Sequence, residues 1–215
     1  MLDNSLTPAL YFIGYIYQTN KLILFLKLKI KLFYYKMIDV MIDIETLGIN
    51  PDSVVLTIGA IKFQKDEDLK SMESYETFYV KIDQNSCTEI GCKVDPKTVE
   101  WWNKQSAESR YEAIESDDRI TIRDALIKLS KWLKGDNIIW ANSPSFDCVI
   151  LENVYKKCKL DIPWKFWLIR DCRTLFDLAD ITKNDLPNYQ QHHALYDCYR
   201  QLTGVIKGYK KIKIL

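Results

Sequence analysis

Two acids one residue apart, Asp43 and Glu45, stand inside the apolar stretch MIDIETLGIN. Alternate residues of a strand share a face, so both carboxylates converge on one point while Ile42 and Ile44 turn the other way. Two anions held that close repel each other and lose hydration unless a cation lies between them. Oxygen ligands of this kind suit magnesium or manganese. Asp66 with Asp68, and Glu115 with Asp117, repeat the spacing without the apolar strand, and those pairs read as solvated surface. A third acid, Asp147, opens a helical pattern in which Ile150, Leu151 and Val154 follow on one stripe, so its carboxylate faces inward. Standing alone, such an aspartate can equally serve the positive end of its helix. The last group is HHALYDCYRQ, which holds both histidines of the chain, His192 and His193, together with Asp197. Five helical residues turn a side chain about 140° from its start. His192 must therefore sit on the loop or in the first turn and reach back toward Asp197. An imidazole among carboxylates that gather cations is equipment for metal-assisted acid–base chemistry.

The elements that must position these groups are readable from Met37 onward. IDVMIDIE and VVLTIGAIKF are two β-rich apolar runs separated by the turn cluster TLGINPDS, and YETFYVKI makes a third strand. Helical periodicity follows in PKTVEWWNKQ, in SAESRYEAI and in TIRDALIKLSKWLKG, with Gly135 as its stop. NIIWAN reads as a short buried strand, SPSFDCVILENVYKKC as a helix capped by Ser143 or Ser145, and KFWLIRD as another strand. Two helices close the chain, around 172–179 and 192–209. Three successive strands, then helices alternating with strands, predict an α/β fold with a mixed sheet covered by helices on both faces.

Composition bounds the rest. A chain of 215 residues with 47% apolar content closes one good-sized core. The net charge of +1 hides an asymmetry, because residues 1–36 hold five lysines and one acid, leaving the remainder net acidic. That excludes a broad basic face for long duplex DNA and leaves local, short nucleic-acid contacts. The six cysteines are scattered, with neither C-x-x-C nor zinc-ligand spacing, and fit reduced thiols in a cytoplasmic protein. The apolar run ALYFIGYIY is too short for a membrane span, and LKLKIKLF alternates as an amphipathic strand or a weak basic membrane contact would. The expected organisation is an extension over 1–36, a functional domain over 37–209 and a tail over 210–215.

In order along the chain, DIET with Asp43 and Glu45, FD with Asp147, and H-x-x-x-x-D with His192 and Asp197 resemble the three motifs of the DEDDh family of 3′–5′ exonucleases. DPKTVEWWNKQSAESR, FDCVILENVY, RDCRTL and HHALYDCYRQ are similar to its branch of DexA-like phage exonucleases and bacterial exoribonucleases. The likeness runs over residues 38–207, and Pro144 before the third motif's helix departs from the pattern. The resemblance implies an RNase H-like sheet of three antiparallel strands followed by parallel ones. It implies two Mg2+ or Mn2+ ions held by Asp43, Glu45, Asp147 and Asp197, with Asp43 bridging, and His192 as general base. The substrate would be the 3′ end of single-stranded DNA or RNA, released as nucleoside 5′-monophosphates. Thr46, Leu47 and Gly48 would meet the terminal 3′ hydroxyl, with Leu47 wedged beside the last base. Trp101, Trp102 and Phe146 are candidates for stacking on bases, and His193, off the motif's spacing, reads as structural. Relatives of this kind are often dimers, so a homodimer is among the expectations. Two other classes share some of these features: a nucleic-acid-binding or polymerase-associated module without turnover, and an RNase H-like endonuclease. All four acids are present, against the first, and a histidine five residues before the last acid stands against the second.

Overall fold

The computed structural model describes residues 37–214. The expectations for residues 1–36, the lysine-striped run among them, lie outside the described residues. Six strands make one sheet: β1 (Ile38–Thr46), β2 (Val55–Phe63), β3 (Glu76–Ile82), β4 (Arg119–Ile120), β5 (Asn137–Ala141) and β6 (Ile169–Asp171). Their order is β4-β3-β2-β1-β5-β6. β1, β2 and β3 pair antiparallel, while β5 joins β1, β6 joins β5 and β4 joins β3 in parallel, which is the predicted mixed sheet. The helices are α1 (Gln84–Glu89), α2 (Pro96–Trp102), α3 (Ala107–Arg110), α4 (Ile122–Leu133), α5 (Asp147–Lys157), α6 (Cys172–Leu178) and α7 (Ala194–Ile214). Among the described residues no helix is long and apolar enough to cross a membrane.

The alternation of β1 and β2 sends its two faces to different neighbours. Ile42, Ile44, Ile58 and Ala60 join Leu126 and Leu129 of α4 and Ile150, Leu151 and Val154 of α5 in one buried core. On the opposite face α7 crosses β1 and β2, with the Cys198 thiol 3.3 Å from the Gly59 carbonyl and 3.7 Å from that of Met41. Local signals start most helices. Asp95 caps α2 ahead of Pro96, Ser106 caps α3, Thr121 caps α4 and Asp171 caps α6, each accepting from a backbone N–H of the first turn. Gly135, at φ +95°, lies just past the end of α4 as predicted.

Four expectations need correction. Neither Ser143 nor Ser145 caps α5: their hydroxyls bond each other at 3.0 Å, and the Phe146 and Asp147 N–H groups are satisfied by the Ser143 carbonyl. The first half of KFWLIRD forms a 3₁₀ turn over Phe166–Leu168, so only Ile169–Asp171 pairs with the sheet. SAESRYEAI divides into α3 and a π-helical turn over Tyr111–Glu115. The expected tail over 210–215 and the domain end at 209 are overtaken by α7, which continues through Ile214. Lys210 and Lys213 there pair with Asp68 and Asp66, the acids read as solvated surface.

Candidate active site

The pleat of β1 carries Asp43 and Glu45 to the α7 side of the sheet. Antiparallel register sets Asp43 opposite Gly59 of β2, and Gly59 opposite Tyr79 of β3, so the three form one row across that face. Gly59 is the gap in this row. A Cβ there would stand 2.5 Å from the Ala194 carbonyl carbon and 2.6 Å from the Leu195 nitrogen, so only glycine lets the start of α7 rest on the sheet. That close approach brings Asp197 and Gln201, one helical turn apart, over Asp43. One carboxylate oxygen from each of Asp43, Glu45 and Asp197 can gather within 4.8 Å.

Asp147 arrives from the other side. It is the first residue of α5, only 5% exposed, and its Oδ1 accepts from the Ile44 N–H at 3.3 Å. His192 lies just ahead of α7, as its spacing from Asp197 requires, and its backbone N–H donates to Asp197 Oδ2 at 3.1 Å. All five groups line one cavity of about 460 Å³, together with Gln201, Arg173, Asn142 and Ser143. The structure thus brings Asp43, Glu45, Asp147, His192 and Asp197 together.

The electrostatics of this cavity are lopsided. Burial, then the neighbouring carboxylates, pushes the acid pKa values of Asp43 and Glu45 well above the usual range. Burial pushes Asp147 up to about 7, opposed by the Ile44 N–H and by the Arg173 guanidinium. Among the described residues Asp43 receives a single donor, Gln201 Nε2 at 2.8 Å. Burial lowers the pKa of His192, against the pull of Asp197, which favours the neutral form of its imidazole. Arg200 pairs with Asp197 at 3.1 Å and Arg173 borders the cavity, two cations for four carboxylates, and a cluster of hard oxygen donors with this excess of acids fits divalent cations of the magnesium or manganese type.

A second cavity of about 400 Å³ abuts the first and shares Ile44, Glu45 and Phe146 with it. Thr46, Gly48, Trp101 and Trp102 add to its wall, so most of the residues expected at a terminal nucleoside do border one space. Two are corrected. Leu47 is buried in the core and lines neither cavity: β1 ends at Thr46, and past the strand end alternation no longer fixes which way a side chain faces. Trp102 is 1% exposed and spends its indole N–H on the Thr46 carbonyl at 2.9 Å, so it braces the strand end instead of offering a stacking face. Trp101, 41% exposed, keeps one free side.

The sequence reading missed Gly59, Gln201 and Arg173. Gln201 follows Asp197 by four residues, a spacing that shares a helix face, and that signal was available. Arg173 sits two residues after the cap of α6, where nothing local points to a cavity.

Comparison with known proteins places these features in a lineage. A family model described as the 3′–5′ exoribonuclease Rv2179c-like domain matches residues 38–207. An exodeoxyribonuclease of Enterobacteria phage T4 is 27% identical, with 77% of this chain and 86% of that protein covered. Among solved structures, the zinc-bound complex of E. coli exonuclease I with single-stranded DNA matches at TM-score 0.58 and 15% identity, over 83% of this chain. The complex of the same enzyme with a dA16 oligonucleotide matches at TM-score 0.52 and 16% identity, again over 83% of this chain. The chain spans 41% of the length of these exonuclease I chains, and at such identity they share its fold. With the family model covering the strand, helices and loop that carry every acid of the cavity, the chain belongs to the Rv2179c-like family of 3′–5′ exoribonuclease domains.

Proposed function

We propose that this protein is a metal-dependent 3′–5′ exonuclease that removes nucleoside 5′-monophosphates from the 3′ end of single-stranded nucleic acid. The observation that carries this reading is the meeting of four carboxylates and an imidazole in one cavity, beside a second cavity of nucleoside size. Relatives described for RNA and for DNA both match, so either sugar is within the proposal.

Two divalent cations, when bound, would activate water, neutralise the scissile phosphate and stabilise the leaving 3′ oxygen. Asp43, Glu45 and Asp197 would hold one of them, and Asp147 with Asp43 the other. Gln201 donates to one oxygen of Asp43 and orients the other toward the cavity. His192 accepts the proton of the attacking water, for which a neutral ring at pH 7 is required. Arg173, a cation on the rim of a cavity of acids, attracts the phosphate backbone. Trp101 and Phe146 receive the terminal base, and the Gly48 region lets the backbone approach the sugar. We assign this activity to the unit that starts at Met37, and the six buried free thiols support a reducing, cytoplasmic setting.

The test uses 5′-labelled single-stranded DNA and RNA of equal length with magnesium, manganese or chelator. A ladder shortening from the 3′ end is expected, absent with chelator and with Asp43→Ala, and slowed about 10²-fold or more in His192→Ala. Internal cuts appearing first, or circular substrate degraded as readily as linear, would point to an endonuclease. Trp101→Ala should raise KM about tenfold, since base stacking contributes to binding, and should lower kcat as well, because the same ring packs against His192.

A further inference from the structure

The loop that carries His192 is not held by its own backbone. His192 has φ +61°, the left-handed region that costs a residue with a Cβ free energy unless its surroundings fix it. Besides the bond from its N–H to Asp197, those surroundings are Tyr79 of β3, Tyr196 of α7 and the segment formed by α2, α3 and the π turn. Trp101 of α2 packs edge-on against the His192 ring, with centroids 4.7 Å apart. The Ser109 hydroxyl of α3 donates to the Gln191 carbonyl at 3.0 Å. His193 is sandwiched between Tyr79 and Tyr196, with ring centroids 4.7 Å and 4.0 Å away and both pairs nearly parallel. Its Nε2 faces Glu112 of the π turn at 3.7 Å. Glu112 is itself fixed, accepting from the Tyr79 hydroxyl at 2.9 Å and pairing with Lys81 at 3.0 Å. The extra residue in a π turn re-aims a side chain that a regular helix would point elsewhere. Tyr79 belongs to the same cross-strand row as Asp43 and Gly59, so the anchor of the loop and the metal-facing acid share one rigid surface.

We propose that His193, Ser109 and Glu112 are positioning residues: they lock the Gln191–His193 loop onto β3 and the π turn, and so hold His192 above the acid cluster before substrate arrives. This rests on His192 being the base. It gives His193 a task in the reaction although it touches neither substrate nor cation. A base displaced by an ångström loses much of its effect, so a loosened loop should cost kcat and leave substrate binding intact.

The experiment measures kcat and KM on a single-stranded oligonucleotide with magnesium, and amide hydrogen exchange over residues 189–193, for His193→Ala, His193→Phe, Ser109→Ala and His192→Ala. For His193→Ala, kcat should fall about tenfold with KM within about twofold, and exchange should rise in the loop but not in β1 or β2. His193→Phe keeps the aromatic sandwich and should recover most of the lost kcat. Ser109→Ala removes one hydrogen bond and should give a smaller loss, about threefold, of the same kind; it decides the matter if His193→Ala does not fold. Unchanged kcat in Ser109→Ala and His193→Ala, loop exchange equal to wild type, or His193→Phe as slow as His193→Ala overturns the proposal. An active His192→Ala overturns instead the assignment of the base, and loop exchange then reports separately whether the lock exists.

Discussion

Asp39 and Asp43 lie four residues apart on one strand and point to the same face, the first buried and the second half-buried, and the protein treats them in opposite ways. Asp39 is fully buried and receives the Lys65 ammonium at 3.1 Å and the Trp140 indole N–H at 2.8 Å. Burial raises its pKa, but those two partners oppose the rise. Asp43 receives one amide N–H and, in place of a cation, the charges of Asp147, Glu45 and Asp197. A buried acid whose counter-charge the chain supplies is part of the framework. One whose counter-charge is left to come from outside marks where the framework stops and the site begins.

The contrast is sharpest in a crossed pair of substitutions. Asp43→Asn should lower the exonuclease rate about 10³-fold or more, the order lost when one charge-stabilising group leaves an active site. Its melting temperature in chelator should equal or exceed that of wild type, because a repelling charge has gone. Asp39→Asn should do the reverse, keeping activity while destabilising the fold by about 1–3 kcal/mol, since Lys65 is left without its partner. Equal behaviour of the two variants in both assays would dissolve the distinction.

Acidity provides the next test. Groups whose folded pKa is raised contribute stability that is complete below the unfolded value, near 4, and lost as pH climbs through the folded value. With Asp147 at about 7 and Asp43 and Glu45 also raised, the metal-free protein should lose stability from pH 5 to pH 8. Magnesium or manganese should offset that loss, so the melting difference between metal and chelator should widen by several degrees across this range. A difference independent of pH would mean that the acids are not what the cation relieves. The smallest effect concerns the framework acid: Trp140→Phe removes one N–H from Asp39 and should cost about 1 kcal/mol without altering kcat.

Much of this was legible in the chain. Alternation alone placed Asp43 and Glu45 on a common face, and helical rotation alone confined His192 to the loop or first turn. The apolar stripe after Asp147 turned that acid inward. What stayed hidden depends on contacts between distant segments. Nothing beside Gly59 announces that Ala194 will rest on it, although the meeting of β1 with α7 depends on that contact. Leu47 shows the limit of adjacency, since it lies one residue past the end of β1 and turns into the core. The Trp101 and Trp102 pair was half legible: one ring enters the core and one stays exposed, but the hydrogen bond to Thr46 that decides the order is a tertiary fact. The length of α7 was underestimated, and two lysines of its last turns find acids in the loop after β2.

The central claim is that the acids around Asp43 are the protein's half of a cation site. Anomalous diffraction from crystals grown with manganese tests it most directly. The account predicts manganese peaks among Asp43, Glu45, Asp197 and Asp147, lost in Asp43→Asn, and no peak beside Asp39. An acid cluster without manganese at concentrations that support nucleolysis, or equal occupancy beside Asp39, would contradict it.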